Sequence, residues 1–283
     1  SAILVGSAPD NLDRYTSSPL IVSTAGQPLT GGATTTLSGR LAYENSFSAS
    51  SVQAGAPVSS NVDLVKPEEV TAFELGYRGL VYAGESRVTI DVSAYYNSYS
   101  DFISGKNVLV PFYGTVGDNS LSLLALRNGD FKAFQVYTNT TADISSYGAS
   151  IGLNTKVLGG FDLGANYTYA KFDFDQASDP DFEAGFNTPE HKVKLQFGHT
   201  ELFKNFGFNI NARWQDEYLW ESTFLDATVD SRTVLDAQVN YSVPSIKSVF
   251  KLGGANLGGR EYFSAPGVGA VGSQYYISWT INN

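Results

Sequence analysis

Cysteine and methionine are both absent from the 283 residues. Without cysteine there is no disulfide framework, no thiol nucleophile and no thiolate metal site. Without methionine, Ser1 is not an initiator position, so the chain is expected to begin after processing or to belong to something longer. Histidine is scarce: His191 and His199 are the two present. They lie on one alternating run, roughly 26 Å apart at strand rise, too far to share a metal. His191 reads as a structural residue at a strand start. No Gly-x-Ser-x-Gly occurs, and with two histidines and no cysteine no catalytic set is expected. Charged residues make up 16% of the chain, where about 25% is usual for a soluble domain. The net charge of −10 argues against nucleic acid, which needs a basic patch. No signal peptide is visible, and no run of roughly 18 apolar residues occurs, so helical membrane spans are excluded. A β-barrel is not, because its strands alternate and escape a hydropathy window.

What the chain has instead is aromatics, at 13%, and alternation. In "NFGFNINARWQDEY", Phe206, Phe208, Ile210, Ala212 and Trp214 share one parity, and Asn209, Asn211, Arg213 and Gln215 share the other. Side chains of a strand have period two, so these are two faces of a ribbon. The same pattern recurs from Val70 onward. Phe73, Leu75 and Tyr77 alternate with Glu74, Gly76 and Arg78, and Val88 to Tyr96 with Arg87 to Asn97. Tyr147 to Leu153, Phe161 to Tyr169, Val193 to Phe197, Leu235 to Tyr241, Phe250 with Leu252, and Tyr275 to Ile281 continue it. "AFQVYTNTTADISSYGASIGLNTKV" reads as one very long strand or two joined by a kink. The count is nine strands.

Two regularities give the strands an environment. Many runs reach about nine or more residues, the length a tilted strand needs to cross a bilayer, whereas soluble strands more often stop near about five or six. The connections also alternate. Those near Gly84, Gly159, Asn205 and Ser245 are tight, while residues 102–132, 175–190, 219–231 and 258–271 are long. Short periplasmic turns and long extracellular loops are the signature of an outer-membrane barrel. Tyr96, Tyr167, Tyr169, Trp214, Tyr241 and Trp279 sit toward the ends of apolar faces, where interfacial girdles belong. The expected fold is therefore all-β, a transmembrane antiparallel β-barrel, with a soluble all-β binding module such as a lectin as the competing class. The apolar face of each strand should meet lipid and the polar face the lumen. Holding Arg87 and Arg213 off mid-bilayer lipid avoids a cost of ~2–4 kcal/mol each. Residues 1–69, rich in Ser, Thr, Gly and Ala, read as a long loop region with a strand or hairpin around Leu37 to Phe47. Residues 102–132 read as a long polar stretch.

Several segments, in order, resemble the C-terminal part of the TonB-dependent outer-membrane receptors. "LVKPEEVTAFELGYRG" (Leu64–Gly79) is similar to the family's strand-start motif. "VYTNTTADISSYGASIGL" followed by "ANYTYAKF", then "NTPEHKVKLQF", resemble its next strands. "FKLGGANLGGREYFSAPGVGAVGSQYYISWTIN" resembles its closing hairpin, with Asn256 and Leu257 ahead of a loop holding Tyr262, Pro266 and Gly267. The resemblance covers about residues 64–283 and implies a barrel of about 22 strands around a plug. It implies import of a ligand such as an iron-siderophore, cobalamin, haem, oligosaccharide or peptide. An inner-membrane energy-transducing TonB-type protein would act through that plug. On this reading residues 1–69 are an extracellular loop region, and residues 70–283 are the C-terminal part of the barrel. The plug and its energy-coupling box lie outside the chain. The last residues, Ile281-Asn282-Asn283, lack the terminal aromatic of many outer-membrane barrels.

Nine strands leave two backbone edges that lipid cannot satisfy. The partners implied are thus outer-membrane lipid and the remainder of the barrel, from the same longer polypeptide or a companion chain. The alternative function is a non-importing barrel that acts as a surface scaffold or partner subunit. Ligand contacts in the resembled family come from extracellular loops and the upper lumen. Phe112, Tyr113, Tyr218, Trp220 and Phe224 are the candidates here, because rings offer large rigid contact area; packing of loops on one another is the competing role. Asp173, Asp175, Asp179, Asp181 and Glu183 form an acidic loop. It reads first as solvated, with Ca²⁺ ligation through oxygen as the alternative. No cofactor is expected.

Overall fold

The computed structural model describes residues 2–4, 43–84, 86–114, 119–222 and 226–281. In chain order the first elements are strands β1 (Ala2–Leu4) and β2 (Phe47–Ser48) and helix α1 (Ala49–Gln53). Strands β3 (Glu69–Ala83), β4 (Ser86–Ser100) and β5 (Ile103–Pro111) precede helix α2 (Asn119–Asn128). Next come β6 (Phe131–Asn139), β7 (Ile144–Val157), β8 (Phe161–Phe174), β9 (Phe182–Glu183), β10 (His191–Phe203) and β11 (Phe206–Gln215). A small hairpin, β12 (Tyr218–Trp220) and β13 (Ala227–Val229), precedes β14 (Arg232–Val243), β15 (Ser248–Ala255) and β16 (Gln274–Ile281).

Nine long strands form one antiparallel sheet in the order β16-β15-β14-β11-β10-β8-β7-β4-β3. Every neighbour in that sheet is also the next or previous sheet strand in sequence, so the sheet is an up-and-down meander. Its strands run from 8 to 15 residues. The nine alternating runs legible in the sequence are these nine strands. Their tight connections gather at one end. Gly159 and Gly160 turn between β7 and β8 with φ of +78° and +88°, and Asn205 makes the β10–β11 turn at φ +66°, a left-handed geometry that asparagine tolerates. Among the described residues β3 pairs only with β4 and β16 only with β15, so each leaves one edge open.

The two faces of this sheet differ in chemistry. One carries Leu75, Val92, Ile151, Leu195, Phe197, Ile210, Leu252 and Ile277, all more than a third exposed. A folded sheet that turns its large aliphatic and aromatic side chains outward expects something apolar against them. The aromatics concentrate toward the ends of this face. Tyr147, Tyr169, Tyr167 and His191 meet at the long-loop end, with ring centroids 5.1 to 6.2 Å apart. Phe161, Phe197, His199 and Phe208 meet at the short-turn end, at 4.9 to 6.4 Å. His191 opens β10 and its Nδ1 lies 2.8 Å from the Tyr167 hydroxyl, while His199 Nε2 lies 2.6 Å from the Gly159 carbonyl. Both histidines therefore have structural partners.

The structure differs from the sequence expectation at residues 102–132. Residues 102–132 are not an irregular polar stretch. They hold β5 and α2, and β5 pairs with β6, β2 and β9 while β1 runs parallel to β6. The protein's core lies in this second sheet. Val108, Val110, Phe134 and Val136 are at most 1% exposed, with Val62 and Phe112 beside them. Leu109, Phe47 and Leu126 pack together on a second cluster. Full burial of each such side chain contributes about 1.5–3 kcal/mol, which explains how a loop insertion holds itself together. Strand β5 was hidden because Val108, Leu109 and Val110 are all buried; packed on both faces, it lacks the period-two pattern. Within residues 43–68, Tyr43, Phe47 and Val62 join these clusters. The proposed hairpin from Leu37 lies outside the described residues as far as residue 42. The long run at Ala133–Val157 divides at residues 140–143, and its halves, β6 and β7, belong to different sheets.

Candidate functional site

The second face of the nine-stranded sheet is polar and cross-linked. Arg78 Nε donates to Asp91 Oδ2 at 2.7 Å across the β3–β4 pair. Lys156 meets Asp162 at 3.1 Å across β7–β8, and Arg213 meets Asp236 at 2.8 Å across β11–β14. Ser93 and Ser150 hydroxyls lie 2.8 Å apart, and Asn211 donates to Asn209 at 2.6 Å. The cross-strand pairs among these each contribute a fraction of a kcal/mol and fix register, while Asn209 and Asn211 bond along β11. Tyr95 lies over Gly148, and Tyr276 over Gly253, where each ring occupies the space a Cβ would need. Tyr276 then donates to Gln238 at 2.9 Å. A cavity of about 540 Å³ on this face is lined by Asp91, Asn166, Lys194, Gln196, Arg213 and Asp236 among others. The result is a wall of alternating donors and acceptors, suited to water and polar solutes.

At the long-loop end the polar face turns aromatic. Phe102, just before β5, packs on Tyr99 at 5.3 Å, on Phe172 at 5.8 Å and on Phe182 at 6.3 Å. Phe174 meets Phe182 at 5.8 Å, and Phe172 stacks on Phe186 at 4.9 Å. Phe172 pairs in register with Ser146, whose hydroxyl bonds Asn97 and Tyr99 on the polar face. The small sheet is thereby docked on the polar side, above its long-loop end, as a cap. Between Phe172, Phe174, Phe186 and Tyr218 there is a cavity of about 450 Å³ that also bears Glu190 and Glu221. A larger cavity of about 620 Å³ lies between the 227–233 segment and the β15–β16 loop.

The predicted ligand aromatics fall into two groups rather than one wall. Phe112 is 7% exposed and belongs to the cap core, so it is not an exposed ring. Tyr113 packs against the same core and donates to Asp130 at 2.9 Å, and burial pushes its hydroxyl pKa up. Tyr43 shares this environment and is pushed up to about 12 by burial, with its hydroxyl directed at the Tyr137 carbonyl. Tyr218 and Trp220 form the first strand of the β12–β13 hairpin, and Tyr218 lines the 450 Å³ cavity. Phe224 lies outside the described residues.

The acidic loop is not simply solvated. Asp179 is 4% exposed and pairs with Lys106. Asp181, at 8%, accepts from the Ser50 amide at 2.7 Å and from the Ser48 hydroxyl, at the start of α1. Glu183 accepts from Asn107 at 2.6 Å and from Gln135. Burial raises its carboxyl pKa, against the opposing pull of those two donors, with Asp226 and Glu221 adding to the rise. Asp175 shapes a turn through the Ala177 amide, and Asp173 lies at the end of β8, opposite Ser145. Among the described residues no three histidine or acidic side chains converge as a metal site. Sequence reasoning missed the rim residues Phe172, Phe174, Phe186, Arg232, Arg260 and Phe263. Its available signal was that Phe172 and Phe174 share parity with Asn166 and Thr168, where apolar residues are out of place.

A long-stranded antiparallel meander with one apolar and one polar face, and turns sorted by length to its two ends, is a portion of an outer-membrane β-barrel. The model of the TonB dependent receptor-like, beta-barrel family matches residues 22–257, well over half of the chain, and the chain belongs to that family. The family is one of receptors and transporters, not enzymes. Solved structures of similar fold include the FrpB iron transporter from Neisseria meningitidis (F3-3 variant), at 11% identity and TM-score 0.52, covering 77% of this chain and 32% of that one. The copper transporter OprC aligns at 17% identity and TM-score 0.52, over 76% and 31% of the two chains. The siderophore receptor PirA from Acinetobacter baumannii aligns at 15% identity and TM-score 0.50, over 76% and 32%. At such identities the likeness is one of fold alone, and the chain spans less than a third of each of these structures. No curated protein sequence matches the chain significantly.

Proposed function

We propose that this chain is the C-terminal part of an energy-coupled receptor that binds a ligand at its outer end and admits it past the polar face. The observation that carries this reading is the polar wall itself. It runs from Lys156 and Asp162 near the short turns to the aromatic rim at Phe172, Phe186 and Tyr218. A surface scaffold has no need of so continuous a polar lining. On this reading the short turns are periplasmic, and residues 43–68 with the cap are extracellular. The open edges of β3 and β16 pair with the rest of the barrel, in the same longer polypeptide or a companion chain. Coupling to the inner-membrane TonB-type protein runs through a plug outside this chain. Tyr218 and Trp220 contact ligand, whereas Phe112 and Tyr113 hold the cap. Iron, siderophore and copper appear in the names of fold relatives, and metal chelates are accordingly the first ligands to try.

The test is uptake by cells carrying the complete polypeptide. Radiolabelled ferric siderophores, cobalamin and copper would be offered with and without an uncoupler of the proton-motive force. Accumulation that the uncoupler abolishes, and that Tyr218→Ala weakens at the binding step, supports the proposal. A barrel that assembles and accumulates none of them above an empty-vector control supports the scaffold reading instead.

A further inference from the structure

Positive charge is unevenly placed on the polar wall. The net charge is −10 and Lys and Arg number 18 in all, yet four of these cations stand in two adjacent cross-strand rows. Lys192 is second in β10, Gln215 last in β11 and Arg232 first in β14, all at the long-loop end. Lys192 lies opposite Gln215, which lies opposite Arg232. In the next row down, Lys194 lies opposite Arg213, and Arg213 opposite Val234. The rows are two residues apart along each strand, so both belong to the polar face with Asn211 and Asp236. Like charges directly opposite one another destabilise a sheet, and Lys194 with Arg213 is such a pair. Asp236 joins Arg213 at 2.8 Å, and Asp91 is taken by Arg78. Asp230 and Glu261 line a cavity with Arg232. Among the described residues, however, no acid forms an ion pair with Lys192, Lys194 or Arg232.

The amide between the two upper cations is an independent sign. Among the described residues, Gln215 Nε2 is the one buried side-chain nitrogen or oxygen without a hydrogen-bond partner. A buried donor left unmet loses its hydration with nothing in return. The upper row thus sets an ammonium, an unmet amide N–H and a guanidinium side by side. Arg232 is held by the Phe263 carbonyl at 2.8 Å and the Tyr262 ring at 4.7 Å, which leaves its other N–H groups to donate. Guanidinium and ammonium groups match carboxylate and phosphate oxygens. Strands lie about 4.8 Å apart, so the Lys192 and Arg232 backbones are roughly 10 Å apart, a spacing that one anion with several charged oxygens can span. We propose that this row binds the oxyanion groups of the solute, and that the ligand is a polyanion bearing carboxylates or phosphates. The inference rests on the proposed receptor function, in which the polar face is a lumen wall open to solute.

Equilibrium binding tests it without any uptake measurement. The complete polypeptide in neutral detergent is titrated calorimetrically with citrate, with pyrophosphate and with uncharged maltose. Lys192→Gln, Arg232→Gln, Gln215→Glu and a control, Arg87→Gln near the short turns, are measured beside it. Wild type should bind citrate or pyrophosphate and not maltose. Lys192→Gln or Arg232→Gln should weaken that binding about tenfold, and Arg87→Gln should leave it unchanged. Gln215→Glu is the sharper variant, because it supplies a carboxylate where the anion's own would sit. It should abolish binding and raise the thermal unfolding midpoint, so the lost binding cannot be ascribed to misfolding. Binding of neither anion by wild type, the result expected if a plug already occupies the row, overturns the proposal. So does maltose binding of equal strength, anion binding that Gln215→Glu leaves intact, or a loss in Arg87→Gln as large as in Arg232→Gln. Anion binding that passes these tests in a barrel that imports nothing would retain the site and overturn only the import reading. Energy-coupled uptake indifferent to Gln215→Glu would overturn the site alone.

Discussion

Lys106 Nζ lies 2.7 Å from Asp179 Oδ1, with the two side chains 15% and 4% exposed. This ion pair joins β5 to the segment ahead of β9, and Thr140 donates to the second carboxylate oxygen at 3.0 Å. Three separated segments of chain therefore meet at one buried charge. Removing one partner strands the other in a medium that solvates it poorly, which typically costs about 3–5 kcal/mol. Lys106→Met is predicted to loosen the cap and leave the nine-stranded sheet intact. Hydrogen exchange should show lost protection in β5, β6 and β9 with β7, β8 and β10 unchanged. Lys106→Met combined with Asp179→Leu should recover part of the loss, because no charge is then left unpaired.

Cap stability should also depend on pH through Glu183. Its carboxyl pKa in the folded protein is raised above the ordinary value of 4.5, chiefly by burial. A raised folded value means the native state holds its proton more tightly than the unfolded one. The corresponding stability is fully present below the unfolded pKa and is lost as pH rises through the folded pKa. Protease resistance of the cap, measured across mildly acidic to neutral pH, should decline as pH rises. In Glu183→Gln, which keeps an acceptor for Asn107 and Gln135, that decline should flatten. An unchanged slope in the variant would assign the dependence to another group.

The sheet was legible in the sequence for a physical reason that also explains what was not. A strand with lipid on one side and a polar lumen on the other must alternate, so Phe206 to Trp214 and Phe161 to Tyr169 declared both their structure and their faces. The cap has no such two-solvent boundary. Val108 to Val110 are buried on both faces, and Asp179 and Asp181 are acidic residues placed inside. Composition there suggests a solvated loop, while long-range partners such as Lys106 and Ser48 decide otherwise. The site suffered for the same reason. Tyr218 stands out in the sequence as an aromatic in a loop, whereas Arg232 and Tyr262 meet only through a fold that brings residues thirty apart into contact.

Two glycines of β7 should respond oppositely to a methyl group. A Cβ on Gly148 would lie 2.5 Å from the Tyr169 carbonyl oxygen and 2.6 Å from the Tyr95 ring. The ring can swing away, but the neighbouring strand's backbone cannot do so without loss of register. Gly148→Ala is predicted to destabilise by about 1–3 kcal/mol. At Gly152 the nearest atom to an added Cβ is Asn166 Nδ2 at 3.5 Å, an ordinary contact. Gly152→Ala should be neutral or slightly stabilising, since alanine restricts the unfolded chain. Denaturant midpoints of the complete polypeptide in detergent would separate the two.

Adjacent residues on β10 give a direct test of which face meets lipid. Leu195 sits mid-strand between Ala165 and Ala212, and it is 51% exposed on the apolar face. Gln196 follows it and lies on the other face, between Gly164 and Asn211, within reach of the polar cavity. Period-two geometry makes them chemically opposite although they are covalently consecutive. In a bilayer, Leu195→Arg must place a guanidinium near the hydrocarbon midplane, at a cost of ~2–4 kcal/mol. Gln196→Arg places the same group among Asp91, Asp236 and water, and should cost little. Unfolding free energies of the complete barrel in lipid vesicles should therefore differ by roughly that amount between the two variants. In a soluble sheet whose exposed apolar face met water, Leu195→Arg would be harmless and the difference would vanish. The sign and size of this single difference thus decide whether β10 crosses a membrane with its leucine outward.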